Sequence, residues 1–307
     1  MDGPQRAEST DRTGEVVIVR YGELALKSKP VRKDMVQRLV RTIRERMALR
    51  GIECFINSDY GRVYVYTDHA DKALEVLSRV FGIVTCSRCT ETSSELDNLL
   101  ESVVAHAKHW LGEGMSFAVR ARRVGDHDYT SQELARELGS AVLSAIPGIR
   151  VDLEEPDVEI NVEVRHGWAY IFRDFVKGPG GLPMGSQGMV LALVRNEGDA
   201  LAAWMMMKRG CRVELASDGG ERIVEKLREW DPTVRVHTID GFESFLDLCG
   251  EVKAEGIVLG WDLEEIIEKK LKRDVPIFYP LVGLDTAEKK RLAGSVLGLE
   301  EHTDEET

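Results

Sequence analysis

The chain has 307 residues, which leaves room for two or three domains. Because 43% of its residues are hydrophobic and 31% are charged, its composition excludes a disordered protein. Its net charge of −12, from 41 basic and 53 acidic residues, excludes a protein that coats nucleic acid with its whole surface. The sequence has no apolar run near the roughly 18 residues of a membrane span, no signal peptide and an odd number of cysteines, so a cytoplasmic location without membrane contact is predicted.

The first folded segment alternates in the order βαββαβ over residues 15–90, after a polar arm at 1–14 that is predicted to be disordered. A β-branched strand is followed by an amphipathic helix that begins near Pro30 and ends at Gly51. Two strands, a second helix closed by Gly82 and a fourth strand, IVTCSRC, complete the pattern. This order is typical of a ferredoxin-like domain.

The rest of the chain reads as two further α/β segments. Residues 91–177 contain a helix, a strand, a second helix and a strand pair. A segment with five glycines and two prolines, 178–188, predicts a boundary loop. Short strands and helices then alternate over 178–299, which predicts a doubly wound parallel sheet with ligands at the carboxyl ends of its strands. The last residues, 300–307, predict an acidic tail.

Basic residues are concentrated in two places. Residues 20–50 carry ten Lys or Arg against three acids, a local charge of +7. In a later strand, Arg120 and Arg122 alternate onto one face, and Arg123 follows near the strand end. Both segments suit phosphate oxygens, although a solvated helix face and cross-strand ion pairs are the alternatives. The predicted RNA contacts are Lys27, Lys29, Arg32, Lys33, Arg120, Arg122 and Arg123.

Two cysteines and two histidines invite comparison with a zinc finger. Sixteen residues separate Cys89 from His106, and two separate His106 from His109, and both gaps lie outside the usual finger spacing. No metal site is therefore predicted, and the role of Cys86 and Cys89 stays open.

Six strings in this order resemble the tRNA 4-thiouridine synthetase family, also described as thiamine-pathway sulfurtransferases. They are RYGELALKSK, RVFGI, FAVRARR, KGPGGLPMGSQG, MMMKRG and PIFYPLVGLD, and they extend over about residues 16–298. The resemblance implies a ferredoxin-like domain at 15–90, a THUMP RNA-binding domain at 91–177 and an adenine-nucleotide hydrolase-like domain of the PP-loop type at 178–299. It also implies a homodimer that holds the acceptor end of tRNA and uses ATP to activate a uridine oxygen for replacement by sulfur.

The chain departs from that family at the ATP loop, Ser-Gly-Gly-x-Asp-Ser. The corresponding residues are 195–200, and only Asp199 matches. Side chains replace both glycines, both serine hydroxyls are lost, and Glu197 adds a negative charge where pyrophosphate would lie. A second family string, Gly-Glu-Ser-Leu-Gly-Gln, has become residues 260–265, with Trp261 in its second position.

The favoured interpretation is a tRNA-binding protein of tRNA modification with a degenerate PP-loop, no cofactor, and Asp199 as a residual catalytic residue. The alternative is an active tRNA uridine sulfurtransferase that uses ATP and Mg²⁺ through an unorthodox loop. Because no rhodanese-like segment follows residue 300, a separate sulfur donor or modification enzyme is the expected partner.

The glycine-rich loop is either a structural hinge or a residual phosphate contact. The residues concerned are Lys177, Gly178, Gly180, Gly181 and Gly185. Each domain has its own apolar stripes and the joint is expected to carry few side-chain contacts, so the chain before residue 178 is expected to be soluble and to bind tRNA alone.

Overall fold

The structure is a computed structural model that describes residues 16–59 and 61–298, so the predicted arm at 1–14 and tail at 300–307 lie outside the described residues. The described chain divides into two compact units. The first contains residues 16–20, 47–76 and 85–176, apart from residue 60; the second contains 21–46, 77–84 and 177–298. The boundaries of the three sequence domains stay predictions.

A nine-stranded sheet has the order β2-β3-β1-β4-β8-β7-β5-β6, and β9 pairs with β4. Its strands are β1 (Val16–Tyr21), β2 (Phe55–Asp59), β3 (Arg62–Tyr66), β4 (Ile83–Ser93), β5 (Ser116–Val124), β6 (Arg150–Val151), β7 (Val158–Arg165), β8 (Trp168–Phe172) and β9 (Val176–Lys177). The helices α1 (Lys29–Leu49) and α2 (Ala70–Leu77) complete the predicted ferredoxin-like order, and a short 3₁₀ helix, Glu23–Leu26, precedes α1. The ferredoxin-like prediction is confirmed.

Strand β4 is longer than the sequence suggested. The predicted strand was IVTCSRC, whereas β4 continues to Ser93, and its last residues pair antiparallel with β8, from Thr90 opposite Ile171 to Ser93 opposite Trp168. This extension joins the strands of the first segment, 15–90, and those of the second, 91–177, in one sheet.

Two helices, α3 (Leu96–Trp110) and α4 (Ser131–Ala145), cover one face of strands β5, β7 and β8. Helix α4 begins with a capping box, in which Thr130 and Glu133 each accept the other's backbone N–H. The buried side chains between helices and sheet are apolar and come from both helices and from β5, β7 and β8. Burial of this apolar face stabilises the segment of residues 91–177.

The second sheet has five strands in the order β12-β11-β10-β13-β14, and every neighbouring pair is parallel. The strands are β10 (Met189–Leu193), β11 (Arg212–Ser217), β12 (Val236–Thr238), β13 (Ile257–Val258) and β14 (Ile277–Phe278). The helices are α5 (Glu197–Lys208), α6 (Glu221–Arg228), α7 (Gly241–Glu251), α8 (Leu263–Lys269) and α9 (Thr286–Leu297).

Separate apolar clusters cover the two faces of this sheet, one with α5, α6 and α9 and the other with α7 and α8, so the predicted doubly wound fold is confirmed. The strand order reverses at β10, between β11 and β13, and such a switch point is where these sheets place ligands. None of the described helices is long and apolar enough to cross a lipid bilayer.

Candidate nucleic-acid interface and nucleotide loop

The predicted RNA contacts near the N-terminus lie on and just before α1. Lys27, Lys29 and Lys33 are exposed and Arg32 is half-buried. Positions 29, 32 and 33 are spaced by three and four residues, so their side chains share one side of the first helical turn. The structure therefore brings this group together in the second unit.

Two further arginines extend this group and were missing from the predicted contacts. Arg41 and Arg44 are exposed and continue the solvent face of α1 beyond Lys33. At 1.5 Å per residue, the distance from Lys29 to Arg44 is about 22 Å along the helix. We call Lys29, Lys33, Arg41 and Arg44 the basic stripe. Both arginines were among the ten basic residues counted in 20–50, but the count could not separate exposed arginines from those that bind backbone carbonyls.

The arginines predicted on the second segment lie in β5, in the first unit. Arg122 is exposed, Arg120 Nε donates to Glu159 Oε1 at 2.8 Å, and Arg123 Nη1 donates to the Gly125 carbonyl at 2.9 Å. The cross-strand ion pair that the sequence left open is therefore present for Arg120, and Arg122 is the most accessible of the three.

A buried charge network in the first unit was not foreseen. Glu163 on β7 is 5% exposed and lies close to three guanidinium groups: Arg62 Nε at 2.7 Å, and Arg20 Nη2 and Arg165 Nη1 at 3.4 Å. Arg165 also donates to Asp59 Oδ2 at 3.4 Å. Burial lowers the pKa of Arg20, an effect that Glu163 opposes, yet an arginine stays charged. Glu163 is thus the shared counter-charge of strands β1, β3 and β7.

The predicted nucleotide loop lies at the switch point, between β10 and α5. Asn196 caps α5, since its Oδ1 accepts the Asp199 N–H at 2.9 Å. The Asp199 carboxylate accepts the N–H of Arg195 at 3.1 Å and of Gly260 at 3.2 Å. Three backbone amides of the region are therefore bound by side chains of the loop itself.

Charge at this loop also differs from that of a phosphate site. Glu197 is exposed in the first turn of α5, where a carboxylate satisfies the positive end of the helix dipole. Asp199 is 2% exposed, and Arg195 Nε lies 3.7 Å from its Oδ2. Burial raises the pKa of Asp199, an effect opposed by the Arg195 and Gly260 amides and by the Arg195 charge.

The second diverged string contributes a buried aromatic group beside the loop. Trp261 follows Gly260 directly, and its ring stacks with Phe242 and Tyr279 at centroid distances of 5.6 and 6.0 Å. Lys269 Nζ lies 4.4 Å from the Trp261 ring centroid. Large rings therefore occupy the carboxyl ends of these strands.

The glycine-rich loop is held by its backbone against residues 83 and 84, and the expectation that it makes few side-chain contacts stays a prediction. Gly178 and Gly180 donate backbone hydrogen bonds to Val84 and Ile83, at 2.9 and 2.7 Å. A Cβ on Gly178 would lie 2.4 Å from the Ile83 carbonyl oxygen, so only glycine fits. A Cβ on Gly181 would lie 2.1 Å from the Lys208 carbonyl oxygen, so this position also requires glycine.

The remaining predicted members of this loop are Lys177, which is exposed at the end of β9, and Gly185, whose carbonyl accepts Arg38 Nη1 at 3.1 Å. A phosphate contact by this loop stays a prediction.

Cys86 and Cys89 lie buried on β4. Burial raises the pKa of Cys86 to about 12, and it raises the pKa of Cys89 as well. Both thiols therefore stay protonated and unreactive at neutral pH. Among the described residues, no three His, Cys, Asp or Glu side chains come together as metal ligands.

Comparison with known proteins gives consistent matches. Residues 16–87 match the ThiI ferredoxin-like domain and residues 93–174 match the THUMP domain. A probable tRNA sulfurtransferase of Methanothermobacter thermautotrophicus is 32% identical over 91% of this chain and 84% of the relative. The chain belongs to the tRNA sulfurtransferase family. A family relative in Thermococcus kodakarensis is 33% identical over 89% of this chain and 85% of its own length.

Solved structures agree with this membership. PH1313 from Pyrococcus horikoshii Ot3 has a TM-score of 0.82 and 30% identity, covering 93% of this chain and all of that one. A 4-thiouridine synthetase in complex with RNA and bound ATP has a TM-score of 0.74 and 25% identity, covering 92% and 85%. The predicted membership in the 4-thiouridine synthetase family, and the predicted fold class, are confirmed. The family acts in tRNA modification.

Proposed function

We propose that this protein binds tRNA, by its acceptor end, and serves tRNA modification without ATP chemistry of its own. The observation that carries the proposal is the closed nucleotide loop. Its amides at 195, 199 and 260 are bound by Asn196 and Asp199, and Glu197 places a negative charge in the first turn of α5, where pyrophosphate would need a helix N-terminus free of anions.

RNA binding is supported by the THUMP match, by the solved relative that contains RNA, and by the basic stripe with Arg122. Exposed lysine and arginine on an acidic chain concentrate positive potential where phosphate can approach. The other basic residues of the predicted set, Lys27, Arg32, Arg120 and Arg123, stay predicted contacts. A homodimer, a separate sulfur donor and a cytoplasmic location also stay predictions.

The second candidate is an active sulfurtransferase using ATP and Mg²⁺. It is favoured by one observation, namely that Asp199 is retained at the switch point of the sheet. The Asp199 carboxylate is buried, accepts hydrogen bonds from two backbone amides and pairs with the Arg195 side chain. Binding a metal or nucleotide there would require breaking those interactions.

The tRNA preference is tested by comparing three ligands in one buffer: an intact tRNA, the same tRNA without its unpaired 3′ nucleotides, and duplex DNA with an equal number of phosphates. We expect intact tRNA to bind at least about tenfold tighter than the other two, a difference of about 1.4 kcal/mol, because RNA recognition uses shape and unpaired ends. Equal affinities in a filter-binding assay would contradict the proposal.

A further inference from the structure

Residues 29–46 of the basic helix α1 belong to the same compact unit as the C-terminal domain. We call this domain, residues 178–298, the nucleotide-like domain. Two arginines of α1 point to backbone carbonyls there. Arg38 Nη1 donates to Gly185 O at 3.1 Å, and Arg46 donates through Nη1 to Trp230 O at 2.7 Å and through Nη2 to Glu229 O at 3.0 Å. Glu229 and Trp230 directly follow α6, where unpaired carbonyls attract a cation.

An aromatic cluster adjoins the same point. Phe81 is buried, and its ring lies 5.7 Å from that of Trp204 and 5.6 Å from that of Trp230, between centroids. Trp230 Nε1 donates to Val296 O at 2.8 Å, which fixes the indole. Arg79 Nη2 lies 3.2 Å from Glu229 Oε2. The residues that receive Arg46 are therefore held rigidly.

Backbone contacts fix the neighbouring segment 77–84 as well. Gly82 N–H donates to Gly180 O at 2.8 Å, in addition to the bonds from Gly178 and Gly180 described above. The ferredoxin-like segments 21–46 and 77–84 are thus anchored to residues of the nucleotide-like domain by hydrogen bonds, an ion pair and ring packing.

The cations of α1 fall into two sets with different surroundings. Arg38 and Arg46 are half-buried and bind carbonyls, whereas the basic stripe is exposed. We propose that the nucleotide-like domain acts as a scaffold that holds α1 in position for the tRNA backbone, with Arg38 and Arg46 as positioning residues. This inference rests on the proposed tRNA binding and assigns a task to the domain whose nucleotide loop is closed.

The test keeps the charge and removes the anchor. In the variant Arg38→Lys with Arg46→Lys, net charge is unchanged, but one ammonium cannot reproduce the two-pronged contact of Arg46. We expect the Kd for tRNA, measured well below the melting temperature, to rise about tenfold, which corresponds to about 1.4 kcal/mol. Hydrogen exchange of the α1 amides should also become faster, because the helix opens locally more often.

The matched control is Arg222→Lys with Arg291→Lys, which changes two exposed arginines of the second unit that lie outside both basic segments. This control should leave both the tRNA Kd and the exchange rates within about twofold, because the charge is retained and no carbonyl contact is lost. If the double anchor variant does not fold, Arg46→Lys alone is measured, with the same direction expected. If the anchor variant loses tRNA affinity at a temperature where it is fully folded, Arg38 and Arg46 position α1 for tRNA and do not merely stabilise the fold.

The outcomes are distinct. Wild-type binding to tRNA together with an unchanged Kd in the anchor variant would overturn the scaffold inference alone, whether or not α1 exchanges faster. A weakened Kd of equal size in both double variants would also overturn it. No tRNA binding by the wild-type chain would remove the proposed function itself, and the scaffold inference with it.

Discussion

Replacing Glu163 by Gln is expected to lower the free energy of unfolding by about 3–5 kcal/mol, the usual cost of breaking a buried ion pair from one side. Arg20, Arg62 and Arg165 would then keep their charges in a buried network with Asp59 as the remaining counter-charge. Equilibrium urea unfolding measures the change, read from the midpoint if the m-value is unaltered.

The matched control is Glu159→Gln on the same strand. Glu159 is half-exposed, as is its partner Arg120, and its replacement should cost less than about 1 kcal/mol. Equal losses in the two variants would contradict the special role of Glu163 and would point to a general effect of removing a carboxylate from β7.

The affinity for tRNA is expected to fall about a thousandfold or more between 50 and 200 mM salt, if at least six basic residues neutralise phosphates. The residues concerned are the basic stripe with the other predicted contacts, Lys27, Arg32, Arg120, Arg122 and Arg123. Replacing Lys29 and Lys33 together by Ala should reduce the slope of log K against log salt by nearly two, because two fewer counterions are released.

The control for that slope lies on α9. Lys290 and Arg291 are exposed outside both basic segments, and their replacement by Ala should leave the slope unchanged. Binding that is independent of salt would reject the basic stripe as a phosphate contact, and an equal change of slope in both double variants would show that only net charge matters.

The order of elements could be predicted because the apolar periodicity is local. The pattern of α1 and the alternation of short strands with helices after residue 188 needed no knowledge of distant residues. The extension of β4 was missed because its last residues, TETS, are polar and owe their strand geometry to pairing with β8, far along the chain. The network of Glu163 was missed for the same reason, since Arg20 is 143 residues away.

The candidate site could be predicted in part. The loss of glycine and serine at 195–200 is visible in the sequence, but the capture of the Arg195, Asp199 and Gly260 amides requires the folded loop. Similarly, the anchors of Arg38 and Arg46 are backbone carbonyls, which carry no side-chain signature. Sequence reasoning therefore grouped all the arginines of α1 as one basic surface.

The absence of ATP chemistry is tested by calorimetric titration of Mg²⁺-ATP into the full chain, with and without bound tRNA, accompanied by a pyrophosphate assay. We expect saturable tRNA binding, no saturable heat from ATP up to about 1 mM, where binding is worth only about −4 kcal/mol, and no pyrophosphate release. Micromolar ATP affinity, or tRNA-dependent pyrophosphate release that Asp199→Ala abolishes, would contradict the proposed function in favour of an active sulfurtransferase.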